Sequence, residues 1–347
     1  MTVLAELDVP IVQAPMAGGV STPAMTAAVN RAGALGFVAG GYLTVDALRE
    51  QIQQVRSQTE RPFGVNVFSP AAAPADPAAV AAFGDVLAPL AAAHGVELGP
   101  PRFDDDHYEA KLALISVERP AVVSFAFGCP TSDTVLAFHD AGVEVWVTVT
   151  DGDEARAAAA VGADAVVAQG EEAGAHRGSF VDSDNAALPL RDLLAAVGRE
   201  VSGLPVVAAG GLMTGEDIAL VRRAGAVAAQ LGTAFMLCPE AGTSAVHREA
   251  LLEDRPTVLT RAFTGRTARS IVNAWTEEFN DRAPSAYPQI HYLTAPLRAH
   301  GRAHGLADLV NLWAGTRHVL ARPVPAEELV MVLAAELAQH DVAARKV

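Results

Sequence analysis

The stretch AQGEEAGAHRG, residues 168–178, sets a histidine among small residues just past an apolar run. His176 follows Gln169 by seven residues, in a loop whose glycines let backbone approach a ligand closely. An imidazole placed there can hydrogen-bond an anion or take a proton near neutral pH. The other apolar runs end on similar chemistry: Ala14-Pro15-Met16, Gly40-Gly41, Asn66, Gly128-Cys129, Gly210-Gly211 and Gln230-Leu231-Gly232-Thr233. The amides of Asn66, Gln169 and Gln230 offer both a donor and an acceptor, which suits the edge of a heterocycle carrying C=O and N–H groups. Two glycine loops, AAGGLMTGED and AQLGTAFM, bring backbone N–H groups and the Thr233 hydroxyl to where a phosphate could sit. Either loop alone reads equally well as a tight turn. Amides, a phosphate cradle and a floor of small residues together describe a place for a flat phosphorylated cofactor.

Other chemistries fit less well. Glu171 and Glu172 are the only acids beside this loop and no second histidine is near in sequence, so a metal centre or a Ser–His–Asp triad lacks its parts. Cys129 has no adjacent base and reads as buried or pocket-lining, not as a nucleophile. His94, His107, His139, His247, His300, His304, His318 and His340 read as structural or solvated, and His291 falls in a candidate lid.

Eight short runs must position these residues: 10–15, 35–41, 62–68, 121–128, 143–150, 164–170, 205–211 and 226–232. They are continuously apolar, as parallel strands buried on both faces are. Helical patterns follow them, with Thr22 before Pro23 and Thr44 before 45–58 as N-caps, and further helices at 131–140 and 152–161. Eight strand–helix repeats predict an α/β fold of the (β/α)8 TIM-barrel type. The rival, a doubly wound sheet, needs no eighth strand and favours an early GxGxxG turn that is absent here. In a barrel the two glycine loops follow strands seven and eight, where phosphate is commonly bound. The expected organisation is a barrel over 1–240 with a helical excursion at 69–118, then a helical C-terminal extension at 241–347 packing on the barrel mouth. A loop at 282–293 is the candidate lid.

A net charge of −15 argues against nucleic acid or an anionic membrane surface as partner. Two cysteines cannot build a disulfide framework, and no run approaches the ~18 uninterrupted apolar residues of a membrane span. The start lacks the basic segment and long apolar core of a signal peptide, so the expected location is the cytoplasm.

Five segments resemble the nitronate monooxygenases, formerly 2-nitropropane dioxygenases: PIVQAPMAGG, GVNVF, AQGEEAGAHRG, PVVAAGGLMTGED and AAQLGTAF. They occur in that family's order and spacing across most of residues 8–240, and WAGT at 313–316 resembles its C-terminal return to the cofactor. The resemblance implies an FMN-dependent barrel oxidoreductase. Asn66, Gln169 and Gly174 would contact the flavin ring or ribityl chain. Gly210, Gly211 and Gln230 to Thr233 would cradle the phosphate, and Ala14, Pro15 and Met16 would lay backbone against the ring. His176 would be the active-site histidine. Ala175 departs from the family's common EAGGH, so the loop must adopt a backbone geometry open to alanine.

The activity so implied is oxidative denitrification of an alkyl nitronate, such as propionate 3-nitronate, to a carbonyl compound and nitrite with O2. The partners are then a small-molecule nitronate and O2, with a homodimer left open. In this reading His176 pairs with the nitronate anion and, with an ordinary titration range, takes the α-proton of a neutral nitroalkane. One alternative keeps the cofactor: an NAD(P)H-dependent quinone or enoyl reductase. Another is a non-redox barrel binding a sugar phosphate or nucleotide.

Overall fold

The computed structural model describes residues 2–71, 73–183 and 187–344. Positions 1 and 184–186 of the expected barrel, 72 of the excursion and 345–347 of the expected extension lie outside them. Eight parallel strands occupy the eight apolar runs: β1 (Ile11–Gln13), β2 (Phe37–Ala39), β3 (Gly64–Phe68), β4 (Val122–Ala126), β5 (Glu144–Val149), β6 (Ala165–Gln169), β8 (Val206–Ala209) and β9 (Ala228–Leu231). A two-residue strand, β7 (Ala175–His176), falls between β6 and β8 and lies outside the barrel. Neighbours pair in parallel from β2 through β3, β4, β5, β6, β8 and β9 to β1. Side chains face helices on one side and the barrel axis on the other, which is why polar alternation is missing.

The seam between β1 and β2 has one ladder bridge, Val12 to Leu35. A side chain completes it. Gln13, fully buried, accepts the Phe37 N–H on Oε1 at 3.0 Å, and its Nε2 donates to Ser21 Oγ at 2.9 Å and to the Ala14 carbonyl. Below, Val12, Phe37, Trp146, Val167 and Val207 fill the barrel, and α1 (Val3–Glu6) plugs its floor. Glu144 fastens that plug by accepting the Val3 N–H at 2.7 Å and the Trp146 indole N–H at 3.1 Å.

The outer helices begin where their caps predict. Thr22 accepts the Met25 N–H to start α2 (Pro23–Arg31), and Thr44 accepts that of Ala47 to start α3 (Val45–Arg56). The excursion carries α4 (Pro77–Ala93) and α5 (Tyr108–Glu118). The ring continues with α6 (Ser132–Asp140), α7 (Gly152–Ala160), α8 (Leu190–Glu200) and α9 (Gly215–Arg223).

The extension holds α10 (Ala245–Leu251), α11 (Ala274–Phe279), α12 (Gln289–His304) and α13 (Ala326–Ala344). It differs from the expectation of a mostly helical extension in one respect. A hairpin of β10 (Thr257–Thr260) and β11 (Ala268–Ile271) pairs antiparallel with β7, forming a second sheet over the barrel mouth. Its strands are too short and mixed in polarity for period-two alternation to announce them. Excursion and extension also share a core: Val80, Phe83 and Leu87 of α4 pack with Phe263, Trp275, Phe279, Ile290, Leu293 and Leu297. The two additions thus form one cap. Among the described residues no helix is long and apolar enough to cross a membrane.

Gln13→Leu keeps the volume at the seam but leaves the buried Phe37 N–H without an acceptor. Such an orphaned group costs about 1–3 kcal/mol, so the variant should unfold at lower denaturant with an unchanged slope. A midpoint equal to that of the parent chain would mean the seam is held elsewhere.

Candidate active site

A cavity of about 460 Å³ opens at the C-terminal ends of the barrel strands and runs under the cap. That volume lies in the range of small-molecule and cofactor sites. The residues assigned to cofactor and catalysis lie on its wall: Ala14, Pro15, Met16, Asn66, Gln169, Gly174, His176, Gly210, Gly211, Gln230, Leu231, Gly232 and Thr233; Gly40-Gly41 and Gly128-Cys129, at other strand ends, stand outside that lining.

The glycine loops form one side. Gly210 and Gly211 have φ of 118° and 66°, a region that β-branched residues avoid. A Cβ on Gly211 would lie 2.9 Å from Cβ of Glu172, whose carboxylate is itself held by the Leu190 N–H at the start of α8. Thr233 Oγ1 accepts the Gly315 N–H at 3.0 Å, which draws the WAGT segment against the loop after β9. Backbone N–H groups, a hydroxyl and a close approach open only to glycine fit a phosphate. Among the described residues no carboxylate lines the cavity to oppose one.

The amides divide their work in a way the sequence did not reveal. Both Asn66 N–H groups are spent on Ser124, at 3.1 Å to its carbonyl and 3.0 Å to its hydroxyl. Gln169 is largely a clamp. Its Nε2 donates to the His176 carbonyl at 3.1 Å, and its Oε1 accepts the Gly178 N–H at 2.7 Å. The 170–178 loop is therefore pinned at its far end, not supple. The pairing of Ala268 with His176 and Arg269 with Ala175 pins it again from the cap. The Arg269 Nε adds a bond to the Glu171 carbonyl at 2.8 Å. Ala175 sits at φ 62°, the left-handed geometry its substitution for glycine had put in question. Single L-residues there cost about 1–2 kcal/mol, which the clamps on both sides offset.

His176 stands in the wall with Phe127, Tyr287 and Trp313 at ring-centre distances of 5.7, 5.7 and 5.5 Å. Its Nε2 lies 2.8 Å from Thr264 Oγ1, and that hydroxyl is within 3.4 Å of the Arg266 carbonyl. With the hydroxyl donating to the carbonyl, Nε2 carries the imidazole proton and Nδ1 keeps its lone pair. Burial lowers the imidazole to about 3, and the Arg266 and Arg298 charges push the same way. The expectation of an ordinary titration range is corrected: desolvation in this aromatic box disfavours the cation, and His176 is neutral.

Sequence reasoning missed most of the opposite wall. Tyr42 and Phe127, from the loops after β2 and β4, and Thr264, Arg298 and Arg302, from the cap, also line the cavity with no motif to mark them; His291 of the candidate lid and Trp313 of the WAGT segment join them. Tyr42 stacks on His291 at 4.2 Å and meets the Tyr287 hydroxyl at 3.2 Å. His318 is bonded to the backbone carbonyls of Leu251 and Arg255, and His247, expected to be structural, is bonded to the Trp313 carbonyl and also lines the cavity. Cys129 is half-buried and its thiol is pushed up to about 11 by burial, so no thiolate nucleophile arises there.

An eight-stranded parallel barrel with its cavity at the strand C-termini is the architecture of a (β/α)8-barrel enzyme. A family model described as nitronate monooxygenase matches residues 2–336. The chain is 43% identical to a nitronate monooxygenase of Pseudomonas aeruginosa, covering 97% of this chain and 98% of that one. It is 41% identical to one of Paraburkholderia phytofirmans, covering 96% and 93%. Its backbone matches a solved nitroalkane oxidase of Streptomyces ansochromogenes with a TM-score of 0.95 at 49% identity, over 98% of this chain and 99% of that one. FabK of Thermotoga maritima, at 24% identity and a TM-score of 0.77, shares the fold. The chain belongs to the nitronate monooxygenase family, a family of flavin-dependent oxidoreductases.

Gly211→Val should fold yet purify with little bound flavin, because its side chain meets Glu172 and cannot take the required φ. Flavin absorbance per mole of protein reads this. A full complement of flavin in the variant would place the phosphate elsewhere.

Proposed function

We propose that this enzyme binds FMN between the barrel loops and oxidises alkyl nitronates with O2, giving a carbonyl compound and nitrite. The observation that carries the reading is the wall itself: glycine loops on the barrel side, a neutral histidine pinned beside them, and, among the described residues, no carboxylate on the lining. The loops at Gly210-Gly211 and Gln230 to Thr233 would hold the phosphate. Ala14 to Met16, Asn66, Gln169 and Gly174 would lie against the ribityl chain and ring. The bound cofactor supplies electron transfer from the nitronate to oxygen, chemistry that no side chain provides.

The chain's own residues then position the substrate. Tyr42 and Phe127 from barrel loops and Trp313 from the cap wall the site, excluding water and strengthening polar contacts inside. His176 presents an unprotonated Nδ1. It would accept the α-proton of a neutral nitroalkane as the nitronate forms, the new negative charge beside it stabilising the imidazolium that burial alone disfavours. A nitronate arrives already deprotonated and needs no base.

Nitrite release from ethylnitronate tests the activity, and its absence from flavin-loaded enzyme would sink it. The role of His176 is tested by His176→Asn. Turnover of neutral nitroethane should fall roughly 10²–10⁴-fold, as loss of a general base costs, with ethylnitronate turnover affected far less. Equal small losses on both substrates would make the histidine a structural loop residue. The pH dependence follows from the shift in His176. Its folded value lies below its unfolded one of 6.5, so the unfolded chain binds the extra proton between about 6.5 and 3. Stability should therefore decline as pH falls through that window, while kcat/KM for a nitronate shows no acid limb near 6.5. Such a limb, absent from His176→Asn, would show the imidazole titrating normally.

A further inference from the structure

Helix α12 brings to the cavity a cation that neither the fold nor the glycine loops account for. Arg298 is only 5% exposed and lines the cavity. Its Nε donates to Thr294 Oγ1 at 3.1 Å, and its Nη2 donates to the His291 carbonyl at 2.7 Å and lies 3.3 Å from His291 Nδ1. Among the described residues no carboxylate pairs with it. The charge beside it is that of Arg302, and the phenols of Tyr42 and Tyr287, held neutral by burial, supply no counter-ion. Burial and Arg302 bring the guanidinium down to about 10, so it stays charged at neutral pH. A buried cation without a counter-ion is costly, and structures normally retain one only where something negative meets it.

The surroundings say what that is. In a chain with a net charge of −15, the cavity wall carries Arg298 and Arg302 and, among the described residues, no acid. His176 cannot be the positive partner, because it is neutral. Arg298 lies close enough to both His176 and His291 to depress their basicity by its charge. Tyr42 stacks on His291 and meets Tyr287, whose ring faces His176, so one continuous aromatic wall joins the two sites.

We propose that Arg298 is the specificity-determining residue that recognises the negative charge of the nitronate, its guanidinium meeting the planar O–N–O group. The inference rests on the nitronate reading and divides the labour within it: Arg298 selects the anion, and His176 serves the neutral nitroalkane. The fork of a guanidinium matches a planar two-oxygen anion better than a lysine ammonium does.

The test uses flavin-loaded R298Q and R298K, with flavin content confirming an intact site. Propionate, the carboxylate isostere of ethylnitronate, is titrated against the flavin absorbance, and KM and kcat are measured for ethylnitronate and for nitroethane. R298Q should raise the ethylnitronate KM and the propionate Kd in parallel by about 10–100-fold, with the nitroethane KM moving less than about threefold. R298K, keeping the charge without the fork, should recover part of both losses. Unchanged propionate and ethylnitronate affinities in R298Q would overturn the proposal, as would equal losses on charged and neutral substrates. Should R298Q lose its flavin, R298K decides: propionate affinity weakened with nitroethane KM intact supports the role, and no change in either removes it. If the parent enzyme releases no nitrite, the nitronate reading fails on its own. Propionate binding that R298Q abolishes would then still establish an anion site, and a parent enzyme blind to propionate would overturn both.

Discussion

Two residues of strand, Ala175 and His176, hold this active site together. Their pairing with Arg269 and Ala268 joins a loop of the barrel to a hairpin of the extension. Without it, His176 would hang on a glycine-flanked loop whose ends alone are fixed. With it, the imidazole has one orientation, against Thr264, in an aromatic box that comes partly from each side. The Gln169 clamp works at the other edge of the same loop, on the His176 carbonyl and the Gly178 N–H. The loop gains its rigidity from partners distant in sequence. That rigidity is what allows an alanine to occupy a left-handed position at its centre.

The electrostatics follow from the same enclosure. Desolvation lowers the basicity of His176 and His291 and of the buried Arg298 alike, yet the outcomes differ in kind. The histidines lose their charge, because their ordinary range is near neutral and a modest penalty is enough. The arginine keeps its charge, because it starts far above neutrality. One apolar enclosure thus yields neutral hydrogen-bonding groups beside a permanent cation, with no acid needed to sort them.

Much of the barrel side was legible in the sequence, and little of the cap. Parallel strands buried on both faces leave continuous apolar runs, and glycine at Gly210 and Gly211 marks backbone geometry that other residues avoid, so both features are local. The hairpin at 257–271 escaped because its strands are four residues each and are fixed by long-range pairing with Ala175–His176. Arg298 escaped for a related reason. On a helix it reads as an ordinary solvated charge, and only the packing of α12 against α4 and Phe263 reveals that it is buried. The histidine's suppressed basicity was invisible for want of Phe127, Tyr287 and Trp313, which lie 49, 111 and 137 positions from it.

The shared core of excursion and extension has a consequence for how such an enzyme can diversify. The cavity's glycine-loop face is written in the barrel, while Tyr287, His291, Arg298 and Trp313 are written in the cap. On the proposed role of Arg298, substitutions among the cap residues would alter which molecules are admitted and leave the opposite face untouched. Because α4 and α12 bury one another, however, neither half of the cap can drift alone. Lineages built on this frame are free to exchange substrates cheaply, provided the two cap segments change in concert.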